Sequence, residues 1–417
     1  MTLQLENPPV AKPTPPSVES HVRNYLARVR GGDIGPLPAL LGLVVLCIVF
    51  TIARPVFFTP LNFANLFTQG APITIIAMGL VFVLLLGEID LSAGFTSGLC
   101  AAVLAVLLTY QGWPWYGAAA AAILTGMVVG FVLGFLVAKI GIPSFVVTLA
   151  AFLGFQGAVL LLIRGGTNVR ISDPVILAIE NRNLPPWLGW VLVALTIVGY
   201  ATVQFLRYRN RAARGLVNDP LPVVAFRVGV LSVVLVTAMY VLNLERSVNT
   251  LITSVRGAPI VIVLVGVLLI AGTFVLERTR YGRHVYAVGG NREAARRAGI
   301  NVDRIRISVF VICSSIAAIG GIVAASKGGS VDPNTGGSNV LLYAVGAAVI
   351  GGTSLFGGKG KLRDAVLGGA VIAVIDNGMS LLGFSSGQKF VFTGLVLLLA
   401  AGVDALSRRR AAATGNR

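Results

Sequence analysis

The chain has 417 residues, of which 56% are hydrophobic and only 12% charged, and it carries a net charge of +17. A soluble domain has roughly 25% charged residues, and a mean hydropathy of +0.86 leaves too little polar surface to clothe a water-soluble core, so a soluble enzyme is excluded. The basic excess, 33 Lys+Arg against 16 Asp+Glu, sits between apolar runs, where it reads as membrane topology and not as a nucleic-acid footprint.

Residues 1–36 are polar and proline-rich (Pro8, Pro9, Pro13, Pro15, Pro16) and read as a disordered or amphipathic tail. The first apolar run follows Arg23, Arg28 and Arg30 and has no small-residue cleavage site close behind it, so it reads as an uncleaved span. About twelve candidate spans follow in order: 37–53, 72–87, 92–110, 116–138, 144–163, 187–206, 223–243, 258–276, 306–325, 339–356, 364–382 and 387–406. About 20 helical residues cross the hydrocarbon core. The expected fold class is therefore an all-α polytopic membrane protein of about 10–12 transmembrane helices, some broken or re-entrant. One membrane domain, 37–406, is flanked by the tail 1–36 and a short tail 407–417.

The basic clusters test the count. With the N-terminus inside, alternation puts Lys139, Arg207–Arg214, the dense segment Arg278–Arg306, Lys359–Arg363 and Arg408–Arg410 inside, and leaves the sparser Arg164, Arg170, Arg246, Arg256 and Lys327 outside. A count of ten keeps most of this agreement. Both termini are thus expected in the cytoplasm of a multi-pass inner-membrane protein. Cys47, Cys100 and Cys313 all lie within apolar runs, with neither zinc nor disulfide spacing, and with only His21 and His284 a metal site is not expected.

Two runs end in Gly-rich breaks, Gly87-Glu88-Ile89-Asp90-Leu91-Ser92-Ala93-Gly94 and Gly351-Gly352-Thr353-Ser354-Leu355-Phe356-Gly357-Gly358. Matching breaks in two halves are a mark of transporters with internal repeats; glycine-rich helix packing gives the same pattern. The second break ends in Gly-Lys but is not a phosphate loop. Thr353 stands where the first glycine of G-x-x-x-x-G-K-[ST] belongs, and Gly360 follows the lysine. No nucleotide site and no nucleophile–base set is present, so the chain is not expected to be an enzyme or to hold a cofactor.

Polar residues inside spans are costly, at least about 2.5–3.5 kcal/mol for a charge, and so invite explanation. Glu88 and Asp90 in the first break, Gln156 in the fifth span and Asp376 and Asn377 in the eleventh have the hydrogen-bonding chemistry that a path for a polar solute needs. Capping of helix ends by Glu88 and Asp90, and satisfaction of a neighbouring helix by Asp376 and Asn377, are the alternative readings. Trp113, Trp115, Trp187 and Trp190 near span ends fit the interfacial belt.

The loop 278–306 is the most charged segment between spans. Asn291 is placed to cap a short helix and Glu293 lies in its first turn, where the helix dipole favours negative charge. Glu293 and Arg297 are four apart in the favourable order, and Gly299 is a natural stop. The helix, carrying Arg292, Ala294, Ala295 and Arg296 as well, suits docking into a partner's groove. A solvated loop whose arginines fix topology or touch anionic lipid is the plainer alternative.

Glu293-Ala294-Ala295 with Gly299 six after the glutamate resembles the coupling loop of ABC importer permeases, although the usual proline-bearing continuation is missing. GEIDLSAG (87–94), PSFVVTLA (143–150), YAVGGNREAARRAGI (286–300), GGTSLFGGKG (351–360) and VIDNGMSLLG (374–383) are similar to the ribose and xylose permease branch of that superfamily, over about residues 37–406. The extra apolar hairpin at about 187–243 looks like the longer xylose-type permease. The resemblance implies the ABC importer permease fold and a homodimer forming the path for a monosaccharide, D-xylose or a related pentose. It also implies a separate subunit that binds ATP and docks on Asn291–Gly299, and a periplasmic sugar-binding protein. A proton-coupled sugar transporter using Glu88, Asp90 or Asp376 is the alternative.

Overall fold

The computed structural model describes residues 37–163, 167–216, 218–247 and 254–413, with three isolated positions before them. The tail expected at 1–36 otherwise lies outside the described residues, as do Arg164 and the last four residues of the tail expected at 407–417.

The described chain is almost wholly helical, an all-α polytopic membrane protein. The helices are α1 (Leu37–Ala53), α2 (Pro60–Leu85), α3 (Ala93–Thr109), α4 (Trp115–Phe135), α5 (Ser144–Leu162), α6 (Pro174–Asn181), α7 (Pro186–Ala213), α8 (Leu221–Asn243) and α9 (Val261–Arg278). They continue as α10 (Arg280–Gly290), α11 (Arg292–Arg297), α12 (Val302–Gly328), α13 (Ser338–Ile350), α14 (Leu362–Leu381) and α15 (Ser386–Ala413). Among the described residues, eight helices are long and apolar enough to cross a membrane and four shorter ones are apolar. Two-residue strands β1 (Val169–Arg170) and β2 (Ser330–Val331) pair antiparallel, Val169 opposite Val331.

The helix starts follow local chemistry. Thr59 caps α2 by accepting from the Asn62 amide, with Pro60 at the first helical position. That start lies a full three turns before the apolar run expected at 72–87. The additional turns carry Asn62 and Gln69, whose polarity hid them from a hydropathy reading and whose side chains are satisfied by α14. The span expected at 339–356 is shorter in the structure, because α13 stops at Ile350. At 13 residues it rises about 20 Å, short of a hydrocarbon core roughly 30 Å thick.

Burial sorts the helices into core and lipid-facing sets. The apolar window of α2 is 83% buried, whereas that of α8 is 0% buried and that of α7 11%. A helix apolar all round with no protein around it faces lipid. Thus α7 and α8 form an outer hairpin, while α2, α12 and α14 form the middle of the bundle.

Close helix approach sets how α4 meets α12. Gly126, Gly130 and Gly134 repeat every fourth residue and so lie on one face. A Cβ at Gly130 would stand 2.4 Å from the Phe310 carbonyl oxygen, and one at Gly126 2.6 Å from that of Ser314. This is the small-residue packing by which helices associate in lipid, where no hydrophobic force draws them together. The intruding atoms at α12 are backbone, so they cannot rotate away.

We therefore expect Gly130→Leu to separate α4 from α12 at a cost of at least about 1–3 kcal/mol, read as a lower thermal midpoint and a loss of monodisperse protein in detergent. Gly157→Leu on α5, where a Cβ meets nothing within 4 Å, should behave as the unsubstituted protein.

Candidate functional site

The charged loop 278–306 is built from three capped helices. Thr279 Oγ1 accepts from the Gly282 amide at 3.1 Å, Asn291 Oδ1 from the Ala294 amide at 2.9 Å and Asn301 Oδ1 from the Arg304 amide at 3.0 Å, starting α10, α11 and α12. Asn291 is thus the N-cap of α11, and Gly299, at φ +82°, turns the chain after it. Glu293 lies 3.4 Å from Arg297 and 3.7 Å from Arg296. Only the Asn291 cap was legible as such. The amphipathic α10, which buries Gly282, Val285 and Val288, was masked by its glycines.

α11 has two sides. The side chains of Glu293, Arg296 and Arg297 are 60–80% exposed, whereas Ala295 is buried. Arg292 turns back to the bundle, where it donates to Glu88 Oε1 at 2.8 Å and to the Leu86 carbonyl at 3.1 Å. Arg306, in the first turns of α12, reaches the same Glu88 oxygen at 2.7 Å. Glu88 is buried and so joins the first Gly-rich break both to the start of α11 and to the first turns of α12.

The second break arrives at the same place. Gly358 donates its amide to the Leu85 carbonyl at 2.8 Å, and Tyr286 of α10 donates its hydroxyl to the Gly360 carbonyl at 2.8 Å. Gly289 is squeezed between them; a Cβ there would lie 1.8 Å from the Leu85 oxygen and 3.0 Å from the Gly358 nitrogen. The carbonyls left unpaired at the end of α2 are thus taken by Gly358 and Arg292. Burial raises the Tyr286 phenol to about 12, with Glu277 and Asp364 adding to the shift, so it stays protonated and a donor.

From Glu88 the chain re-enters the bundle. Asp90 is fully buried; its Oδ1 accepts from the amide and hydroxyl of Ser92 at 2.9 and 2.6 Å, and Cys313 Sγ donates to Oδ2 at 3.6 Å. Cys313 lies eleven residues into α12, about 16 Å along it, so α3 begins well inside. Ser144 and Thr148 of α5 hold the extended backbone, Ser144 Oγ accepting from the Ile89 amide and Thr148 Oγ1 donating to the Ile89 carbonyl. The turn at 332–337 packs on the start of α3 through Thr335 and Gly336 against Gly98 and Gly94. Its sequence, Asp332-Pro333-Asn334-Thr335-Gly336-Gly337, reads as an ordinary surface turn, and nothing local marks it as buried.

The remaining polar residues lie elsewhere. Asn377 exchanges two hydrogen bonds of 2.9 Å with Asn62 and donates to Gln69 at 3.0 Å. Asp376, with its side chain 41% exposed, sits 3.4 Å from Lys389. Gln156 is half-buried on α5. At the end of the bundle opposite α11, the short helix α6, which does not span, buries Glu180 with neither carboxylate oxygen hydrogen-bonded. Burial drives that carboxyl up to about 8, opposed by Lys327.

Two tests follow. Glu88→Gln removes the anion shared by Arg292 and the largely buried Arg306; a fully buried pair would cost about 3–5 kcal/mol, and the half-exposed Arg292 reduces this to roughly 1–3 kcal/mol. It should lower the thermal midpoint and raise hydrogen exchange across 286–306. For Glu180, the folded state holds a proton between pH 4.5 and about 8 that the unfolded chain has released, so stability falls as pH rises through that window. Thermal unfolding from pH 5 to 9 should show this decline in the parent and lose it in Glu180→Gln.

Residues 62–401 match the family described as branched-chain amino acid transport system, permease component. The chain is 36% identical over 350 residues to the xylose transport system permease protein XylH of Escherichia coli K12, covering 84% of this chain and 86% of that protein. It is 32% identical over 372 residues to the XylH of Haemophilus influenzae, covering 89% and 96%. It is 30% identical over 368 residues to the ribose import permease protein RbsC of Escherichia coli K12, covering 88% and 92%. No solved structure matches. The chain belongs to the ABC importer permease family that includes the xylose and ribose permeases.

Proposed function

We propose that this chain is the membrane subunit of an ATP-driven importer for a monosaccharide, D-xylose or a related pentose, and that α11 transmits the work of a separate ATPase to the path. The observation that carries the reading is the two-sidedness of α11. Its outer side offers Glu293, Arg296 and Arg297 to a partner, and its inner side is tied through Arg292 to Glu88. A partner that moves α11 therefore pulls directly on the re-entrant backbone that leads to Asp90 and α3.

In this reading, which the positive-inside rule supports, the α11 end and both termini lie in the cytoplasm, and the Glu180 end meets a sugar-binding protein on the other side of an inner membrane. The membrane domain spans 37–406 between the tails 1–36 and 407–417, two copies enclose the path, and ATP is bound by the partner. Of the polar residues within spans, Asp376 is the one we assign to the path. Its side chain stays 41% exposed beside its partner Lys389, whereas Asp90 and Asn377 are buried among their protein neighbours. The sugar assignment rests on the likeness to the two xylose permeases and on the outer hairpin α7–α8.

The test is Glu293→Lys in the assembled transporter. The pairs of Glu293 with Arg296 and Arg297 are exposed and contribute about 0–1 kcal/mol, so the variant folds. Reversal of charge at the docking side should lower sugar-stimulated ATP hydrolysis and uptake at least about tenfold, the equivalent of a docking loss of ~1.4 kcal/mol. Unchanged coupling, or uphill sugar accumulation by the chain reconstituted without an ATPase subunit, would refute the reading.

A further inference from the structure

The outer hairpin ends in a feature that neither α11 nor the path explains. A cavity of about 480 Å³ opens at its basic end, lined by Gln204, Arg207, Tyr208 and Arg211 of α7, Asn218 and Asp219 of the connection, Val224 and Arg227 of α8, and Arg278, the last residue of α9. Gln204, Arg207, Tyr208 and Arg211 follow the spacing i, i+3, i+4, i+7, so one face of α7 is turned to it. The neighbouring Arg209 and Arg214 do not line it. Four guanidiniums from three helices therefore surround one space, with a single carboxylate, Asp219, held by Arg227 at 2.9 Å.

Arginines placed only to set topology have no reason to share a concavity; like charges so gathered repel unless an anion joins them. We propose that this cavity binds a phosphate group, and that the bound phosphate ties the α7–α8 hairpin to the coupling segment through Arg278. The guanidinium fork matches phosphate oxygens in a way an ammonium does not, and Gln204, Tyr208 and Asn218 supply neutral partners for ester oxygens. The position is where such a ligand would be met, since basic pockets between spanning helices at the cytoplasmic boundary accept anionic headgroups. The consequence is mechanical. Most of the apolar windows of α7 and α8 is not buried in the protein, and the apolar contacts that hold the hairpin to α2, Val193, Met239 and Leu242 with Ala64, lie toward its other end. Arg278 directly precedes Thr279, the cap of α10, and Arg278 is the residue of the coupling segment that reaches the hairpin's cavity. This assignment depends on the chain being a membrane protein and not on which solute it carries, so it can fail while the transport reading stands.

Two sources share this chemistry: the headgroup of an anionic phospholipid, and a soluble phosphate such as inorganic phosphate or glycerol phosphate. The experiment uses the purified full chain in detergent. It measures retention of phosphatidylglycerol against phosphatidylcholine by native mass spectrometry, and the thermal midpoint with each lipid and with inorganic phosphate or glycerol phosphate against chloride at equal ionic strength. We expect selective stabilisation by a phosphate-bearing ligand and a loss of at least about tenfold in its apparent affinity in Arg207→Ala/Arg211→Ala. The control Arg209→Ala/Arg214→Ala, which removes the same charge from the same end of the hairpin outside the cavity, should bind as the parent does. Arg278→Gln provides a single substitution should the double variant fold poorly, and it should weaken binding likewise. Stabilisation by phosphatidylglycerol alone identifies a lipid headgroup, and stabilisation by the soluble phosphates identifies a free ligand. Equal effects of the anionic and zwitterionic lipids together with no effect of soluble phosphate, or an equal loss in the control variant, would overturn the proposal.

Discussion

Inside a bilayer no water is present to satisfy an open peptide group, so a helix can be broken there only where other protein takes up its hydrogen bonds. That constraint organises this molecule. After α2 the chain runs through 86–92 as non-helical backbone within the bundle, and its polar groups are met one by one. The Leu85 carbonyl is met by Gly358, the Leu86 carbonyl by Arg292, the Ile89 amide and carbonyl by Ser144 and Thr148. The partners come from the second Gly-rich break, from α11 and from the start of α5. Four of the five segments that carry the family resemblance, 87–94, 143–150, 286–300 and 351–360, thus meet at the broken helix, while the fifth, 374–383, pairs with α2 elsewhere.

The glycines in these segments act by letting backbone approach backbone. Gly289 lies against Leu85 and Gly358 at distances that no Cβ would permit. Gly87, at φ +70°, turns the chain into the break at little steric cost. Close approach and charge act together here. Glu88 is buried in a setting where an unpaired carboxylate would be expensive, and the two arginines that neutralise it come from different helices, Arg292 from α11 and Arg306 from α12. A movement of α11 cannot leave Glu88 where it is without drawing Arg292 away from a buried carboxylate, which is the physical basis for reading the contact as a link and not as mere stabilisation.

Much of this was legible in the chain. Asn291, Glu293, Arg297 and Gly299 described their own helix, because capping, dipole and i,i+4 effects are local. The membrane class followed from composition, and most spans from hydropathy alone. The failures have a common cause. The first three turns of α2 were passed over because Asn62 and Gln69 look too polar for a span; their partner Asn377 lies some 300 residues away. Glu88 and Asp90 were grouped as one pair of carboxylates in one break. In the structure they serve different neighbours, Glu88 the arginines of the coupling segment and Asp90 Ser92 and Cys313.

What the sequence determined by itself was whatever depends on neighbours within a few residues or on a summed composition: an apolar bundle of membrane-spanning helices, its breaks, and a capped helix in its most charged loop. What only the tertiary structure decided was which polar groups answer one another. Arg306 meeting Glu88, Asn377 meeting Asn62, and four arginines from three helices meeting around one cavity are all set by how apolar helices pack side by side. That packing is decided by shape complementarity across the bundle, at glycines such as Gly130, and a one-dimensional pattern carries no record of which face will meet which.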